Sequence, residues 1–358
     1  MTGKPVVLHV VEALGGGVMV AVRDYMSSTN DDFDHVLLAN TRQGHNTGDL
    51  DGYALIPLGK LRNPIELVRK TRQTIRHLAP DIIHLHSSWA GLLGRICSPL
   101  GTSLVYTPHC YAFERRDISL FARTLFWVAE WTLAKRLTIV AAVSPREAEL
   151  ASRLNQRRTV TYVPNIALGG PGCRSESSAS EVWNVVATGR VMSQKGPEWF
   201  ASVARIVLAS RTDFAFTWIG GGDRSGEKLL IDSGVTVTGW MSHRDVLGLL
   251  ARADLYIHSA AWEGAPISAL EAASYGIPCI CRDIPAMRSL NFSLLADSPT
   301  AAAGLLLQVA DSDDKSIFAE QSRQIMEQHT PGAQREILLG TYEVARDSFR
   351  NEEKAEWN

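Results

Sequence analysis

The sequence alternates short runs rich in Val and Ile with longer amphipathic stretches, and this alternation is the feature that most constrains the fold. Apolar runs of this length, in which apolar and polar residues do not strictly alternate, are typical of strands buried on both faces. The stretches between them suit crossover helices. The pattern predicts a doubly wound parallel sheet, an α/β fold. The first set of predicted strands comprises residues 6–11, 35–39, 81–86, 104–107, 139–143 and 160–163, with helices such as 65–78 and 120–137 between them.

The alternation stops at the sequence GGPGCRSESSASE and then restarts. Gly, Pro and Ser in place of periodicity indicate a linker, and 358 residues exceed what one hydrophobic core usually supports. We therefore predict two Rossmann-like domains facing across a cleft, because open parallel sheets bind ligands at the carboxyl ends of their strands. The predicted parts are domain 1–168, linker 169–181, domain 182–333, and a helix at about 334–350 that packs back on the first domain. The later strands are predicted at 182–188, 214–219, 235–238, 255–258 and 279–281.

Composition and charge narrow the class of protein. With 45% hydrophobic and 21% charged residues, the chain is typical of globular proteins. The apolar run near the N-terminus is short and broken by His9 and Glu12, so we predict neither a signal peptide nor a membrane span. Five cysteines without paired spacing favour reduced thiols and a cytoplasmic location. No feature indicates nucleic-acid binding.

Two glutamates in the stretch EGAPISALEA carry the most specific signal. Glu263 lies on a loop after predicted strand 255–258, and Glu271 falls in the second turn of the following helix. Pro266 has the φ angle of a first helical position. A helix N-terminus at the carboxyl end of a strand suits a diphosphate, and the two carboxylates can accept hydrogen bonds from sugar and ribose hydroxyls.

Three further stretches follow predicted strands. Arg190 and Lys195, in TGRVMSQKG, would neutralise a diphosphate and stabilise charge on a leaving nucleoside diphosphate. Gly16 and Gly17, in the GGG after the first strand, would let backbone N–H groups approach a phosphate. His109 ends the strand SLVYTPH at the predicted cleft.

Taken in order, these stretches resemble glycosyltransferase family 4, the retaining enzymes of the GT-B type. The resemblance implies that the first Glu contacts the donor sugar, the second contacts the ribose, and His109 faces the transferred sugar. It also implies retention through a same-face route, in which the leaving phosphate accepts the acceptor's proton. The implied catalytic residues are His109, Arg190, Lys195 and Glu263, and the implied donor-binding residues are Gly16, Gly17, Arg190, Lys195, Gly239, Glu263, Gly264, Ala265, Pro266 and Glu271.

The stretches HVVEALGGG and YTPHCYAFERRD also resemble bacterial enzymes that build exopolysaccharide, capsule or O-antigen. This implies a nucleotide-sugar donor, with a UDP-sugar favoured, and a glycan or lipid-linked saccharide as acceptor. No cofactor and no metal are expected. Two D-x-D sequences, at Asp49 and Asp51 and at Asp311 and Asp313, spell the metal-binding signature of the other large glycosyltransferase fold, but neither follows a predicted buried strand.

Residues 114–136 combine aromatic and basic side chains, and two interpretations stay open. A basic-aromatic amphipathic helix can lie on an anionic membrane, at the inner face of the cytoplasmic membrane. The positive balance of residues 1–165, with 19 Lys+Arg against 14 Asp+Glu, favours this interpretation. Alternatively, the Phe and Trp side chains fill the core while the cations face water.

Three rival functions remain. A sugar-nucleotide epimerase of the same fold would consume the donor without an acceptor. A nicotinamide-dependent oxidoreductase would explain GGG, but no acidic residue ends the next strand to hold an adenosine ribose. A non-catalytic nucleotide-sugar-binding protein would use the same pocket without transfer.

Overall fold

The computed structural model describes residues 3–41, 50, 52–58, 64–155, 159–167, 182–312 and 316–356. The chain divides into two compact units, which we call unit 1 and unit 2. Unit 1 consists of Met1–Asn165 together with Pro331–Asn358, and unit 2 consists of Ile166–Thr330. The linker predicted at 169–181 lies outside the described residues, as do Asp49, Asp51 and Asp313 of the two D-x-D sequences.

Unit 1 is built on a seven-stranded sheet in the order β3-β2-β1-β4-β5-β6-β7, with every neighbouring pair parallel. The strand order reverses between β1 and β4, as in doubly wound folds. Its strands are β1 (Val6–Leu14), β2 (Asp34–Thr41), β3 (Ala54–Pro57), β4 (Ile82–His86), β5 (Leu104–Thr107), β6 (Ile139–Ala142) and β7 (Thr159–Tyr162). Its first helices are α1 (Gly16–Thr29), α2 (Pro64–Leu78), α3 (Ser88–Cys97), α4 (Leu120–Leu133) and α5 (Pro145–Leu154).

Unit 2 carries a six-stranded parallel sheet in the order β10-β9-β8-β11-β12-β13. Its order reverses between β8 and β11. The strands are β8 (Trp183–Thr188), β9 (Phe214–Ile219), β10 (Val235–Val237), β11 (Leu255–His258), β12 (Cys279–Arg282) and β13 (Leu295–Ala296). The helices are α6 (Pro197–Leu208), α7 (Arg224–Asp232), α8 (His243–Leu250), α9 (Ile267–Ser274), α10 (Pro285–Ser289), α11 (Pro299–Ala310) and α12 (Ser316–Met326).

The predicted α/β class with two Rossmann-like sheets is confirmed, and a strand stands at each predicted position. Two strands were not predicted. β3 lies at the sheet edge and is largely exposed, so it lacks the apolar run of a buried strand. β13 has only two residues, which is too short for a pattern to show.

The last helix, α13 (Pro331–Glu356), belongs to unit 1. Leu338, Tyr342 and Ala345 are fully buried in one apolar cluster with side chains of β1, β4, β5 and β6. The Ser103 hydroxyl donates a hydrogen bond to the Ala345 carbonyl at 2.8 Å. The chain therefore returns from unit 2 to complete the core of the first sheet.

Helix α4 exposes apolar side chains and buries a charged one, which is the reverse of the usual arrangement. Glu130 is its only fully buried side chain among the residues that the structure describes, whereas Phe121 is 74% exposed. The interpretation that the aromatic side chains fill the core is therefore wrong for most of this helix, although Phe126 packs partly on the core. The exposed apolar face, which we call the α4 face, comprises Leu120, Phe121, Leu125, Trp127, Val128 and Trp131.

Glu130 is held inside by two partners. Its Oε2 lies 2.8 Å from Nη1 of Arg95, which is 1% exposed, and its Oε1 accepts a hydrogen bond from the Tyr106 hydroxyl at 2.9 Å. The guanidinium carbon of Arg95 lies 4.7 Å from the centroid of the Tyr106 ring. A buried charge costs several kcal/mol unless it is paired, so the burial of each of these three side chains depends on the other two.

We expect Glu130→Ala to lower the free energy of unfolding by about 3–5 kcal/mol, because Arg95 would stay buried without a countercharge. Urea unfolding followed by circular dichroism measures the loss. Glu149→Ala is the matched control, since this exposed carboxylate pairs with Arg146 and Arg153 and such pairs contribute about 0–1 kcal/mol. Equal losses in the two variants would contradict the prediction.

Candidate functional site

The reversal of strand order in unit 2 brings two predicted site residues into contact. Lys195 lies on the loop after β8, and Glu263 lies on the loop after the adjacent β11. Nζ of Lys195 donates a hydrogen bond to Oε1 of Glu263 at 2.6 Å, with both side chains largely buried. Ligands of doubly wound folds bind at such a reversal point, outside the carboxyl ends of the strands.

These two loops are fastened to each other through the backbone. The Ser259 hydroxyl donates to the carbonyl of Lys195 at 2.7 Å, and the amide of Ala261 donates to the carbonyl of Gln194 at 2.8 Å. Gly196 has φ +66°, and a Cβ there would lie 2.3 Å from the Ser259 carbonyl oxygen. Only glycine fits at this close approach, which explains the Lys-Gly pair in the sequence.

Helix α9 begins at Ile267, one residue later than predicted, so Pro266 is its N-cap rather than its first residue. No side chain caps this end, and the first N–H groups of a helix have no acceptor within the helix. Gly264 and Ala265 form the turn that leads into it. The N-terminus of α9 therefore offers backbone donors and a positive dipole end at the same edge as Lys195.

Glu271 is buried, and its Oε1 accepts a hydrogen bond from Nε2 of His243 at 2.6 Å. His243 is the first residue of α8, directly after the loop that carries Gly239. The sequence interpretation missed His243. Its position four residues after Gly239, a predicted donor-binding residue, was the available signal.

Arg190 lies on the loop after β8 and Gly239 on the loop after β10, at the same edge of the sheet. The guanidinium carbon of Arg190 is 5.6 Å from the centroid of the Trp240 ring, within the range of a cation–π contact. Gly239 forms an isolated bridge with Gly220, which joins the loops after β9 and β10. One edge of unit 2 thus holds all the predicted donor-binding residues of that unit.

Unit 1 has its own candidate edge. Gly16 and Gly17 are exposed and open helix α1 two residues after β1 ends, without a side-chain cap. His109 follows β5, and it and Cys110 have left-handed φ angles of +51° and +87°. Because β1, β4 and β5 are parallel neighbours, Gly16 and His109 lie at the same edge of the sheet.

Glu147 holds the strained turn at His109. Its Oε1 accepts from the amide of Cys110 at 2.7 Å, and its Oε2 accepts from the amide of Val143 at 2.9 Å. Burial raises the pKa of Glu147 to about 7, against the opposing effect of these two hydrogen bonds. Glu147 was not predicted, although Ser144 three residues before it gives the spacing of a capping box.

Five histidines cluster beneath α1 and α13, and we call them the imidazole cluster. Burial lowers the pKa of His35 to about 4 and that of His109 to about 3. Burial, followed by the charges of neighbouring imidazoles, lowers the other three pKa values well below 6.5. The cluster is therefore neutral near pH 7. Its members are His9, His35, His84, His86 and His109.

Three of these side chains, His9, His84 and His86, place ring nitrogens within 4.8 Å of one another, the spacing of a metal site. Both ring nitrogens of His84 already bond the hydroxyls of Tyr342 and Thr107, each at 2.8 Å. Those of His9 and His86 bond other imidazoles. A metal ion would have to replace these hydrogen bonds.

Two protein-family models match the chain. Residues 4–166 match the model described as a glycosyl transferase 4-like domain, and residues 183–327 match the model described as glycosyl transferases group 1. Together they span most of the sequence and both units. The chain belongs to the glycosyltransferases.

Curated relatives of this glycosyltransferase are distant in sequence. It is 22% identical to an uncharacterised 41.2 kDa protein in the cps region of Klebsiella pneumoniae, over 96% of this chain and 95% of that one. It is 26% identical to the Escherichia coli UDP-Gal:alpha-D-GlcNAc-diphosphoundecaprenol alpha-1,3-galactosyltransferase, over 57% of this chain and 58% of that one.

Solved structures share the fold of this glycosyltransferase. The pneumococcal O-GlcNAc transferase GtfA, in complex with UDP and GlcNAc, has a TM-score of 0.76 at 10% identity, with 96% of this chain and 99% of that chain covered. Anabaena HepE, in complex with UDP and glucose, has a TM-score of 0.73 at 16% identity, with 97% and 100% covered. Among the described residues, no helix combines the length and the apolar character needed to cross a bilayer.

We expect acid to destabilise unit 1. The imidazole cluster has pKa values below the unfolded value of about 6.5, so the unfolded chain binds more protons, and stability is lost as pH falls below about 6.5. Each histidine adds a slope of up to about 1.4 kcal/mol per pH unit. Glu147 opposes this with one proton, since its raised pKa makes stability fall as pH rises towards 7.

The free energy of unfolding measured from pH 7.5 to pH 5 checks this slope. His84→Gln should reduce the slope by the contribution of one histidine, up to about 1.4 kcal/mol per pH unit. His77→Gln should leave it unchanged, because His77 is exposed on α2. A slope that is flat in the wild type would contradict the prediction.

Proposed function

We propose that this glycosyltransferase transfers a sugar with retention from a UDP-sugar to a glycan or lipid-linked saccharide, in the synthesis of a bacterial surface polysaccharide. The hydrogen bond between Lys195 and Glu263 beside the open N-terminus of α9 carries the proposal. It places an ammonium and a carboxylate at the sheet edge where α9 begins, and the first N–H groups of that helix have no acceptor within the helix. These are the groups that a diphosphate joined to a sugar requires.

In this proposal the donor's diphosphate lies on the N-terminus of α9, with Lys195 and Arg190 neutralising its charge. Glu263 accepts hydrogen bonds from hydroxyls of the sugar, and Glu271, oriented by His243, accepts them from the ribose. The positive groups stabilise the charge that develops on the leaving UDP. The leaving phosphate takes the acceptor's proton on the same face, as the family resemblance implies.

Three relatives support the donor and acceptor classes. GtfA and HepE were each solved with UDP. The Escherichia coli relative is named for transfer of galactose from UDP-Gal to a sugar linked through diphosphate to undecaprenol. No metal is required in this proposal, because two cations and a helix end neutralise the diphosphate.

We expect Arg190→Ala to lower kcat by about 10²-fold or more, because it removes charge from the leaving group. Release of UDP with a panel of UDP-sugars and lipid-linked acceptors measures turnover. Arg211→Ala is the matched control, since this arginine pairs with Asp213 and Asp311 away from the site. Turnover near that of the wild type in Arg190→Ala would rule out its proposed role.

The same assay separates the rival functions and tests retention and metal independence. Consumption of the donor without an acceptor would indicate an epimerase, and binding of UDP without any turnover would indicate a non-catalytic protein. Nuclear magnetic resonance of the product reads the anomeric configuration, and inversion would refute retention. Activity that EDTA abolishes and Mg²⁺ or Mn²⁺ restores would refute the metal-independent route.

We also propose that the α4 face lies on the anionic inner face of the cytoplasmic membrane. Its apolar side chains are exposed in one stretch, and Arg115, Arg116 and Lys135 flank it in the sequence. The ammonium of Lys135 lies 5.9 Å from the centroid of the Trp131 ring. Basic residues beside exposed aromatic rings are typical of interfacial helices.

We expect the double variant Phe121→Ser, Trp131→Ser to lose most binding to vesicles that contain phosphatidylglycerol. Co-sedimentation measures the bound fraction, and circular dichroism confirms the fold. Ile231→Ser is the control, since Ile231 is a similarly exposed apolar residue of unit 2. Wild-type protein that does not bind anionic vesicles, or a double variant that binds equally well, would refute membrane contact through this face.

A further inference from the structure

Four imidazoles form a continuous row of hydrogen bonds through the interior of unit 1, and we call them the imidazole chain. His109 Nε2 lies 3.1 Å from His86 Nδ1, and His86 Nε2 lies 3.0 Å from His9 Nδ1. His9 Nε2 lies 3.0 Å from His35 Nδ1. The row crosses β5, β4, β1 and β2, from the carboxyl edge of the sheet to a residue near the start of β2.

The far end of the imidazole chain rests on Thr29, the last residue of α1. Nε2 of His35 lies 3.0 Å from the Thr29 hydroxyl oxygen, which lies 2.8 Å from the carbonyl oxygen of Tyr25. A carbonyl oxygen only accepts, so the single hydroxyl proton of Thr29 must point to Tyr25. Thr29 therefore accepts from His35.

This one contact decides where every proton of the imidazole chain lies. A neutral imidazole has one N–H and one lone pair. Since His35 donates through Nε2, its Nδ1 must accept from His9 Nε2. By the same reasoning His9 Nδ1 accepts from His86, and His86 Nδ1 accepts from His109. Each histidine thus carries its proton on Nε2.

The near end of the imidazole chain has one lone pair that makes no hydrogen bond within the described part of the protein. Nδ1 of His109 has no hydrogen bond to any group among the residues that the structure describes, and His109 is partly exposed at the carboxyl edge. Glu147 fixes the adjoining backbone through Cys110. The contact with His86 therefore holds the ring, and Glu147 holds the neighbouring backbone, while Nδ1 makes no hydrogen bond to a described residue.

We propose that Thr29, His35, His9 and His86 are positioning residues that fix the tautomer of His109, so that its bare Nδ1 accepts a hydrogen bond from a hydroxyl of the transferred sugar. The inference rests on the proposed function for the identity of that hydroxyl. The tautomer itself depends only on unit 1. Without the Thr29 hydroxyl the row could reverse, and Nδ1 of His109 would then carry a proton and could no longer accept a hydrogen bond from the sugar.

The test is ¹⁵N nuclear magnetic resonance of the ligand-free full chain labelled at histidine, with the His109 signals identified by their loss in His109→Gln. In the wild type we expect protonation of Nε2 and a bare Nδ1. Thr29→Val, which keeps the side-chain shape but removes the hydroxyl, should give a mixture of tautomers at His109. Thr29→Ser, which restores the hydroxyl, should return the single tautomer.

Activity supplies the second readout. Thr29→Val should lower kcat/KM for the donor by about three- to tenfold, the contribution of one hydrogen bond, and Thr29→Ser should recover it. A proton on Nδ1 of His109 in the wild type would overturn the inference, and so would a tautomer that Thr29→Val leaves unchanged. If Thr29→Val does not fold, the wild-type spectrum still shows which nitrogen of His109 carries the proton.

Failure of the proposed function gives a different result. In that case the wild type would show the expected tautomer and its dependence on Thr29, but no UDP-sugar would bind or be consumed. Full transfer activity together with a mixed wild-type tautomer would overturn the inference alone.

Discussion

Parallel strands joined by crossover helices end at one edge of their sheet, and every candidate functional residue depends on this constraint. In unit 2 the ends of β8, β10 and β11 carry Arg190, Gly239 and Glu263 to one edge. In unit 1 the ends of β1 and β5 carry Gly16 and His109 to one edge. The helices that follow, α1 and α9, begin there, so each edge also receives the positive end of a helix. Both edges therefore offer backbone donors and a positive dipole end before any side chain is considered.

Features set by neighbours in the sequence were predictable. Glu263 and Glu271 are separated by a loop and one turn of helix, and the helix that follows β11 places them as the spacing indicates, with the start shifted by one residue at Pro266. The strands were predicted for the same reason, since burial on both faces leaves an uninterrupted apolar run. Their predicted roles came from the family resemblance, because composition and spacing do not supply them.

Features set by strand register were not predictable. His9 stands opposite His84 in the pairing of β1 and β4, so the imidazole cluster exists only after distant segments align. His243 reaches Glu271 from another helix, and Glu147 reaches the turn at His109 across 37 residues. The orientation of α4 could not be predicted for a related reason: its composition allowed either face to be buried. The ion pair of Glu130 with Arg95 from α3 decides which face of α4 is buried.

Unit 1 departs from the usual partition of polar and apolar groups at its core and at its surface, and the two departures have different physical consequences. Exposed aromatic side chains on α4 cost free energy that only an apolar partner recovers. Buried imidazoles cost little when each donor meets an acceptor. The imidazole chain meets that condition along its whole length, with one lone pair left over at Nδ1 of His109. The position of that lone pair, at the edge where ligands of this fold bind, agrees with the role that we propose for His109.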